Sequence, residues 1–197
     1  MNDLEKQIKE VKQKAVTEEV PIMEDETINY ISSLIKDKNI KSILEIGTAI
    51  GYSALTYIKS NPDLKIVTIE KDEKRYLEAL ENFKKAGVDD RVTIIYNDAI
   101  EVNLDDKFDL IILDGPKGQN ISYFKKFSYN LNEEGIILTD NMNFHGYVYK
   151  DPSEIESRNL RQLVRKIKEY HEFLKDNKDF DTDLINLGDG IAVSKRI

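Results

Sequence analysis

Residues 42–53 read SILEIGTAIGYS, and this stretch decides the fold of the chain. Its first part, 42–46, is a short apolar run with the length of one buried strand. Gly47 and Gly51 follow where such a strand turns into a helix, and glycine accepts the positive φ that a tight turn requires. Glu45 is a charged residue in this apolar setting, which favours contact with a polar ligand. We therefore interpret the stretch as the first nucleotide-binding turn of an α/β sheet, with an ordinary strand-to-helix turn as the alternative.

Apolar strands and amphipathic helices alternate along the rest of the chain. The predicted strands are 42–46, 65–69, 92–95, 108–113, 136–138, 182–187 and 191–195. The predicted helices are 3–17, 50–60, 72–86, 119–130 and 154–175, with one more around Ile28, Ile31, Leu34 and Ile35. Such alternation forms a parallel sheet with helices on both faces, and Gly188-Asp189-Gly190 predicts a closing antiparallel hairpin. The predicted fold is α/β: a Rossmann-like, mostly parallel seven-stranded sheet.

The composition is typical of one globular domain. The chain has 197 residues, of which 40% are hydrophobic, and we expect one domain over 1–197 with an N-terminal helical appendage over 1–38. Cysteine is absent, which excludes disulfides and thiolate metal sites. The N-terminus is polar and no apolar run reaches membrane-spanning length, so we expect a cytoplasmic protein without a signal peptide. The net charge of −8 argues against nonspecific coating of nucleic acid but does not exclude one basic face.

Five predicted strands end at or beside an acidic residue. These residues are Glu45, Glu70, Asp98, Asp114 and Asp140. The carboxyl ends of parallel strands lie along one edge of an open sheet, and ligands bind there. A single acid in a loop means little, but five along one edge indicate a binding site.

Glu70 and the glycine turn together indicate the type of cofactor. Glu70 lies ~20 residues beyond the turn, where a dinucleotide-binding fold places the acid that binds the ribose hydroxyls. The turn itself does not fit the pattern G-x-G-x-x-G, because Ala49 and Tyr52 stand at two of the glycine positions. Glu45 would repel a pyrophosphate and attract a cation. The pattern therefore favours a positively charged nucleoside such as S-adenosylmethionine over NAD.

Asp114 and Asp140-Asn141 end consecutive predicted strands, so we expect their side chains to be neighbours. Two carboxylates and an amide oxygen form a hard oxygen site suited to Mg²⁺ or Ca²⁺, although two loop-capping acids would show the same spacing. Lys117 follows in a tight loop and projects near the same edge. A divalent cation disfavours the ammonium form of a nearby lysine. Lys117 is therefore a candidate general base, with a solvated loop lysine as the alternative.

These motifs together resemble a known family, the cation-dependent O-methyltransferases of the catechol O-methyltransferase-like group. The residues that carry the resemblance are Leu44–Ser53, Ile69-Glu70, Asn97–Ala99, Asp114–Gly118 and Asp140-Asn141. The resemblance implies a class I methyltransferase fold with S-adenosylmethionine bound by Met23, Glu45, Gly47, Ser53, Glu70, Asp98, Ala99 and Asp114. It also implies Mg²⁺ held by Asp114, Asp140 and Asn141, with Lys117 beside Asp114 as the catalytic base.

The C-terminal third resembles a bacterial branch of this family that methylates 5-hydroxyuridine at the tRNA wobble position to 5-methoxyuridine. The stretches concerned are 143–148, 156–168 and 188–190. The chain also has no tryptophan to wall a catechol pocket, which supports this branch. The resemblance implies that the tRNA anticodon loop is a partner. It also implies a homodimer, for which the N-terminal helix is a candidate interface.

The last predicted helix carries a basic face that supports an RNA partner. Residues 158–168 contain five basic residues and no acid. A one-sided basic helix on an acidic protein predicts a phosphate track, and a solvated helix face is the alternative. Nearby aromatic residues could stack on a splayed base or pack as the core of a lid. The basic candidates are Arg158, Arg161, Arg165 and Lys168, and the aromatic ones are Phe144, Tyr147 and Tyr149.

Three functions remain open from the sequence. The first is a tRNA wobble-uridine O-methyltransferase, and the second is a small-phenol O-methyltransferase with the same cofactor and metal. The third is a non-catalytic nucleotide-binding or RNA-binding module. The intact set of metal-site residues and Lys117 argues against the third.

Overall fold

The computed structural model describes residues 3–197; Met1 and Asn2, the start of the predicted polar N-terminus, lie outside the described residues. The helices are α1 (Asp3–Thr17), α2 (Asp25–Asp37), α3 (Tyr52–Ile58), α4 (Glu73–Lys85), α5 (Asn120–Phe127) and α6 (Arg158–Lys175). The strands are β1 (Ser42–Ile46), β2 (Lys65–Glu70), β3 (Val92–Tyr96), β4 (Phe108–Leu113), β5 (Leu131–Thr139), β6 (Phe180–Ile185) and β7 (Ile191–Arg196). The described residues thus confirm the predicted Rossmann-like α/β fold.

The strands form one sheet in the order β3-β2-β1-β4-β5-β7-β6. The first five strands of this order run parallel, and β7 pairs antiparallel with both β5 and β6. The chain moves outward from β1 to β3 and then returns to place β4 on the other side of β1. This reversal creates a crevice at the carboxyl ends of β1 and β4, which is where open α/β sheets bind their ligands.

Helices cover both faces of the sheet because its central strands are apolar on both sides. In β1, Ile43 joins a core cluster that includes residues of α2 and α3. Leu44 and Ile46 point to the opposite face and join a second cluster with residues of α5 and α6. Glu45 therefore faces the same side as Ile43, toward the helices that precede and follow β1.

The N-terminal helices are integrated into the first core cluster. Ile31 and Ile35 of α2 are fully buried, and Val11 of α1 is buried in the same cluster. The Gln7 amide of α1 also donates a hydrogen bond of 3.0 Å to Asn82 of α4. Residues of the predicted appendage over 1–38 thus contribute directly to the core.

Three predicted helices are shorter in the structure, and one of them is the helix predicted over 119–130, which is α-helical only over Asn120–Phe127. The helix predicted over 50–60 begins at Tyr52, because Ala49 and Gly51 adopt positive φ values of 46° and 88° in the turn before it. The helix predicted over 154–175 begins after Ser157, whose hydroxyl accepts a hydrogen bond from Leu160 N. Short 3₁₀ turns precede this helix and flank α5, at 152–154, 117–119 and 128–130.

Two predicted strands have different bounds in the structure. The strand predicted over 136–138 is the nine-residue β5, because its polar start pairs with β4 across a register shift. The Asn132 amide there donates to Asp109, at a distance of 2.7 Å. The strand predicted over 182–187 is β6, which ends at Ile185 where a turn bonds Leu187 N to Ile185 O. The hairpin around 188–190 is confirmed.

Within residues 3–197, no helix combines the length and apolar character that crossing a membrane requires.

Candidate active site

A cleft of about 520 Å³ lies at the carboxyl ends of the parallel strands. It brings together eight of the predicted site residues, which come from six separate parts of the chain. These residues are Met23, Gly47, Glu70, Ala99, Asp114, Lys117, Asp140 and Asn141. Glu45, Ser53 and Asp98 do not line the cleft, and neither do the four predicted RNA-binding residues.

The glycine turn after β1 requires glycine for both backbone conformation and space. Gly47 has a φ of 99°, and a Cβ atom at this position would lie 2.6 Å from the carbonyl oxygen of Asp114. Gly51 has a φ of 88°, and a Cβ atom there would lie 2.7 Å from the Phe83 ring. The turn therefore packs directly against the loop that follows β4 and leaves its backbone exposed to the cleft.

The Glu70 carboxylate at the end of β2 is held by backbone donors on both oxygens. Oε2 accepts a hydrogen bond of 2.9 Å from Ala49 N in the glycine turn. Oε1 accepts from Lys71 N and Asp72 N, at 2.9 and 2.8 Å. This arrangement fixes the carboxylate between the two turns with its remaining acceptor sites available to the cleft, as a partner for ribose hydroxyls requires.

Glu45 was predicted to contact the cofactor. In the structure it lies behind the cleft and does not line it. Its two carboxylate oxygens accept hydrogen bonds from Ser53 Oγ at 2.5 Å and Thr68 Oγ1 at 2.7 Å. Thr68 in turn bonds the Thr48 hydroxyl at 2.6 Å. Burial raises the pKa of Glu45 to about 7, against the effect of these hydrogen bonds. In the structure Glu45 therefore holds Ser53 directly, and it holds the glycine turn through Thr68 and Thr48.

The N-terminal segment and the loop after β3 close the two sides of the cleft. Met23 is buried, and the Tyr57 hydroxyl donates to its sulfur at 3.1 Å. Ala99 lines the other side, whereas Asp98 does not line the cleft, and its carboxylate accepts a hydrogen bond from Ile100 N. Met23 and Ala99 thus place an apolar side chain on each of two sides of the cleft.

Asp114 and Lys117 form a direct pair at the centre of the cleft. Lys117 Nζ lies 2.6 Å from Asp114 Oδ1, and both side chains are mostly buried. Asp114 N donates to Ile46 O, which ties the start of this loop to the end of β1. The short turn from 115 to 119 then folds the lysine back over the carboxylate. The sequence prediction that the two side chains share one edge is confirmed by this contact.

Asp140 fits a divalent cation, because its Oδ1 is buried and has no hydrogen-bond partner among the described residues. An unpaired buried carboxylate oxygen is costly unless a cation completes it. Burial, followed by the charge of Asp114, raises the pKa of Asp140 to about 7, and Lys117 opposes this shift. Within residues 3–197, no three His, Cys, Asp or Glu side chains form a group that could by itself hold a metal ion. A cation here would therefore be held by two carboxylates, the Asn141 amide, and water or substrate.

The basic face of α6 lies outside the cleft, and its side chains are partly engaged. The Arg161 guanidinium donates to the carbonyl oxygens of Ile155 and Glu156, just before the helix. Arg165 Nε lies 3.3 Å from the Glu169 carboxylate. The predicted phosphate track is thus interrupted by local contacts that a count of charges between 158 and 168 did not reveal.

Several side chains around the cleft were missed by the sequence reasoning. Lys71 and Arg75 line it beside Glu70. Lys166 packs on Gly118, because a Cβ atom there would lie 3.2 Å from Lys166 Cδ. Asp189 was read only as a hairpin residue, yet it is buried and contacts the predicted metal site. The sequence shows only an acid between two glycines, Gly188 and Gly190, which is also a turn pattern, and the burial of Asp189 becomes visible only in the structure.

The segment after Asn141 forms an aromatic wall on the Lys117 side. Phe144 and His145 line the cleft, with their ring centres 5.7 Å apart. The Tyr147 ring lies under Lys150 Nζ, 4.4 Å from its centre. Tyr149 is 75% exposed and donates to Asn143. Of the three predicted aromatic residues, only Phe144 therefore lines the cleft.

Comparison with known proteins is consistent with this geometry. A family model described as O-methyltransferase matches residues 2–197. A caffeoyl-CoA O-methyltransferase of Populus kitakamiensis is 30% identical over 176 residues, which is 85% of this chain and 75% of that protein.

Solved structures show the same architecture. A Staphylococcus aureus protein, provisionally named a caffeoyl-CoA O-methyltransferase, is 36% identical with a TM-score of 0.91, over 96% of this chain and 92% of that one. The Podospora anserina methyltransferase PaMTH1, solved with S-adenosylhomocysteine (SAH) bound, is 26% identical with a TM-score of 0.86, over 100% of this chain and 88% of that one.

Proposed function

The chain belongs to the O-methyltransferase family, and we propose that its own substrate is 5-hydroxyuridine in tRNA, which it methylates with the help of Mg²⁺. The family establishes the general activity of the chain, which is an S-adenosylmethionine-dependent O-methyltransferase of the caffeoyl-CoA O-methyltransferase-like group. The metal, the substrate and the role of each residue are the proposal. The observation that carries the chemistry is the unpaired, buried Asp140 Oδ1 in the same cleft as the Asp114–Lys117 pair.

On the cofactor side, the chain binds and orients the methyl donor. Glu70, fixed by three backbone N–H groups, would accept the ribose hydroxyls. Gly47 would allow the donor to approach the backbone, since no side chain fits there. Met23 and Ala99 would cover its apolar surfaces. Holding the donor and the substrate oxygen in line supplies much of the acceleration in such a transfer.

On the substrate side, the chain removes one proton. Bound Mg²⁺ would supply a Lewis acid that lowers the pKa of a substrate hydroxyl and a positive charge that disfavours the ammonium form of a nearby lysine. Lys117 Nζ would then accept the hydroxyl proton. Asp114, 2.6 Å away, holds Nζ in place. The deprotonated oxygen attacks the methyl carbon, and the carbon–sulfur bond breaks to leave SAH.

An RNA substrate is supported by an aromatic ring and a basic side chain near Lys117. Phe144 offers a ring at the mouth of the cleft on which a splayed base could stack. Lys166 lies over the Lys117 loop, where it could meet a phosphate next to the target nucleotide. Arg158 and Lys168 belong to the same helix, α6. The absence of tryptophan supports the same choice, because no indole walls a small phenol.

The experiment is a competition between substrates with one enzyme preparation. The purified protein is given methyl-labelled S-adenosylmethionine and tRNA that carries 5-hydroxyuridine at the wobble position. The matched control is the same tRNA with unmodified uridine, which lacks the acceptor oxygen. We expect label only in the hydroxylated tRNA. Efficient methylation of catechol, with neglect of the hydroxylated tRNA, contradicts the RNA proposal and leaves the metal proposal intact.

A small-phenol O-methyltransferase is the second candidate. It is favoured by the name of the Populus kitakamiensis relative, a caffeoyl-CoA O-methyltransferase. The same cofactor, metal and lysine roles would apply, so the substrate competition separates the two candidates. We also propose a homodimer in which α1 contributes to the interface. Light scattering of the purified protein tests this, and a monomer at working concentration contradicts it.

A further inference from the structure

The loop between β6 and β7 is tightly enclosed on both sides of Asp189. A Cβ atom on Gly188 would lie 2.7 Å from Thr27 Oγ1 of α2. A Cβ atom on Gly190 would lie 2.6 Å from the side chain of Asn143. Both glycines also have positive φ values, 54° and 78°. Space and backbone conformation therefore fix the position of Asp189 and explain the order Gly-Asp-Gly.

The Asp189 carboxylate reaches across to the segment that follows β5. It is only 7% exposed. Oδ1 accepts a hydrogen bond of 2.6 Å from His145 N, and Oδ2 accepts one of 3.3 Å from Asn141 Nδ2. Two backbone bonds join the same segments, from Met142 N to Gly190 O and from Asn143 N to Asp189 O, each at 2.8 Å.

The segment held in this way is conformationally costly. Asn141 has a φ of 58°, in the left-handed region that L side chains rarely adopt. Phe144, His145 and Gly146 follow with φ values of 45°, 52° and 77°. Such backbone persists only where its surroundings determine it. The bond to His145 N lies within the left-handed turn 144–146, and the bond to Asn141 holds the separate left-handed residue that precedes this turn.

The contact with Asn141 also decides which end of its amide faces the cleft. An amide has one donating and one accepting end, and only the oxygen can bind a hard cation. Because Nδ2 is taken by Asp189, Oδ1 is left for the cleft, and it accepts no hydrogen bond from the residues the structure describes. A carboxylate suits this purpose, because it only accepts.

We propose that Asp189 is a positioning residue for the metal site, which orients the Asn141 amide with its oxygen toward the divalent cation and holds the 144–146 turn at the substrate side. This inference rests on the proposed metal role of Asn141. It adds a residue from the C-terminal hairpin to a site otherwise built from the ends of β4 and β5. Outer partners of this kind set metal affinity by fixing the orientation of the ligands.

The test is Asp189→Asn, with Mn²⁺ as the probe. The new amide can still accept from His145 N, but its own donor then faces Asn141 Nδ2, so the Asn141 amide must turn or detach. Free Mn²⁺ is followed by electron paramagnetic resonance, and SAH binding by calorimetry. We expect Mn²⁺ affinity to fall by about 10–100-fold, with SAH affinity and melting temperature retained. Asp183→Asn, on exposed β6 of the same hairpin, is the matched control and should bind Mn²⁺ as the parent does.

A swap separates orientation from general damage. In Asp189→Asn combined with Asn141→Asp, the new carboxylate at 141 can accept from the new amide and still offer an oxygen to the cation. We expect the double variant to regain most of the lost Mn²⁺ affinity. If Asp189→Asn alone fails to fold, the double variant carries the test: Mn²⁺ binding close to the parent's supports the proposal, and its absence in a folded, SAH-binding double variant overturns it.

The outcomes also distinguish this inference from the proposed function. Unchanged Mn²⁺ affinity in Asp189→Asn overturns the role of Asp189 and leaves the metal site standing. A parent protein that binds SAH but no Mn²⁺ overturns both the metal site and the inference that rests on it.

Discussion

Replacing Glu45 by Gln should make the protein more stable at neutral pH. Glu45 is fully buried with its oxygens bonded to Ser53 and Thr68, and burial raises its pKa from 4.5 to about 7. Between these two values the folded protein keeps a proton that the unfolded chain has released. The stability that Glu45 contributes is therefore complete below about pH 4.5 and is lost as the pH rises through about 7.

The magnitude follows from the size of the pKa shift. At 1.36 kcal/mol for each unit, a rise from 4.5 to about 7 corresponds to about 3 kcal/mol. A neutral glutamine resembles the protonated acid, since its oxygen can accept from one hydroxyl and its amide can donate to the other. Parent and variant should thus be similar in stability near pH 4.5, and the variant should be more stable by about 3 kcal/mol near pH 8.

The assay is urea unfolding in EDTA, followed by circular dichroism across this pH range. Asp109→Asn serves as a control of opposite sign. Burial tends to raise the pKa of Asp109, but hydrogen bonds from Lys41 N and the Asn132 side chain outweigh it and lower this pKa. The stability that Asp109 contributes is therefore lost as the pH falls. A Glu45→Gln effect that does not change with pH would refute the reasoning, because Glu45 would then not be a buried acid that ionises near neutrality.

Other variants test the metal site, the base and the RNA surface. Asp140→Asn should abolish Mg²⁺-dependent turnover but leave SAH binding, measured by calorimetry, unchanged. In the parent, Mg²⁺ affinity should decline below about pH 7, where Asp140 holds a proton. Equal Mg²⁺ affinity at pH 6 and pH 8 would contradict this. Lys117→Met should lower kcat by about 10²–10⁴-fold with little change in SAH affinity, and a near-normal kcat would remove Lys117 from the proposed mechanism. Replacing Arg158 and Arg165 by Glu should raise KM for tRNA and reduce the log–log salt slope by about 0.7 for each lost contact, whereas an unchanged KM would make this helix face a solvated one.

The sheet and the central residues of the cleft could be predicted because they follow from local patterns. Apolar runs ending in acids fix which residues reach the carboxyl edge of a parallel sheet. Asp114 and Asp140 were therefore expected near one another, and the structure places both in the cleft with Lys117. The glycine turn was predictable for a similar reason, since Gly47 and Gly51 both adopt positive φ.

The remaining features depend on contacts between distant parts of the chain. The alternation of side chains along β1 places Glu45 on the α2 and α3 side, but only the fold shows that Ser53 and Thr68 occupy both of its oxygens. The role of Asp189 depends on its contact with Asn141, 48 residues away in sequence. The early start of β5 was hidden because Asn132 and its polar neighbours interrupt the apolar pattern.

The most direct test of the central claim is nucleoside mass spectrometry of tRNA after reaction with the purified enzyme and S-adenosylmethionine. The tRNA substrate carries 5-hydroxyuridine at the wobble position, and parallel reactions contain EDTA, or EDTA followed by excess Mg²⁺. We expect conversion to 5-methoxyuridine with Mg²⁺, none in EDTA, and recovery when Mg²⁺ is restored. Full conversion in EDTA would contradict the proposed metal chemistry, and no conversion by an enzyme that methylates catechol in the same buffer would contradict the proposed substrate.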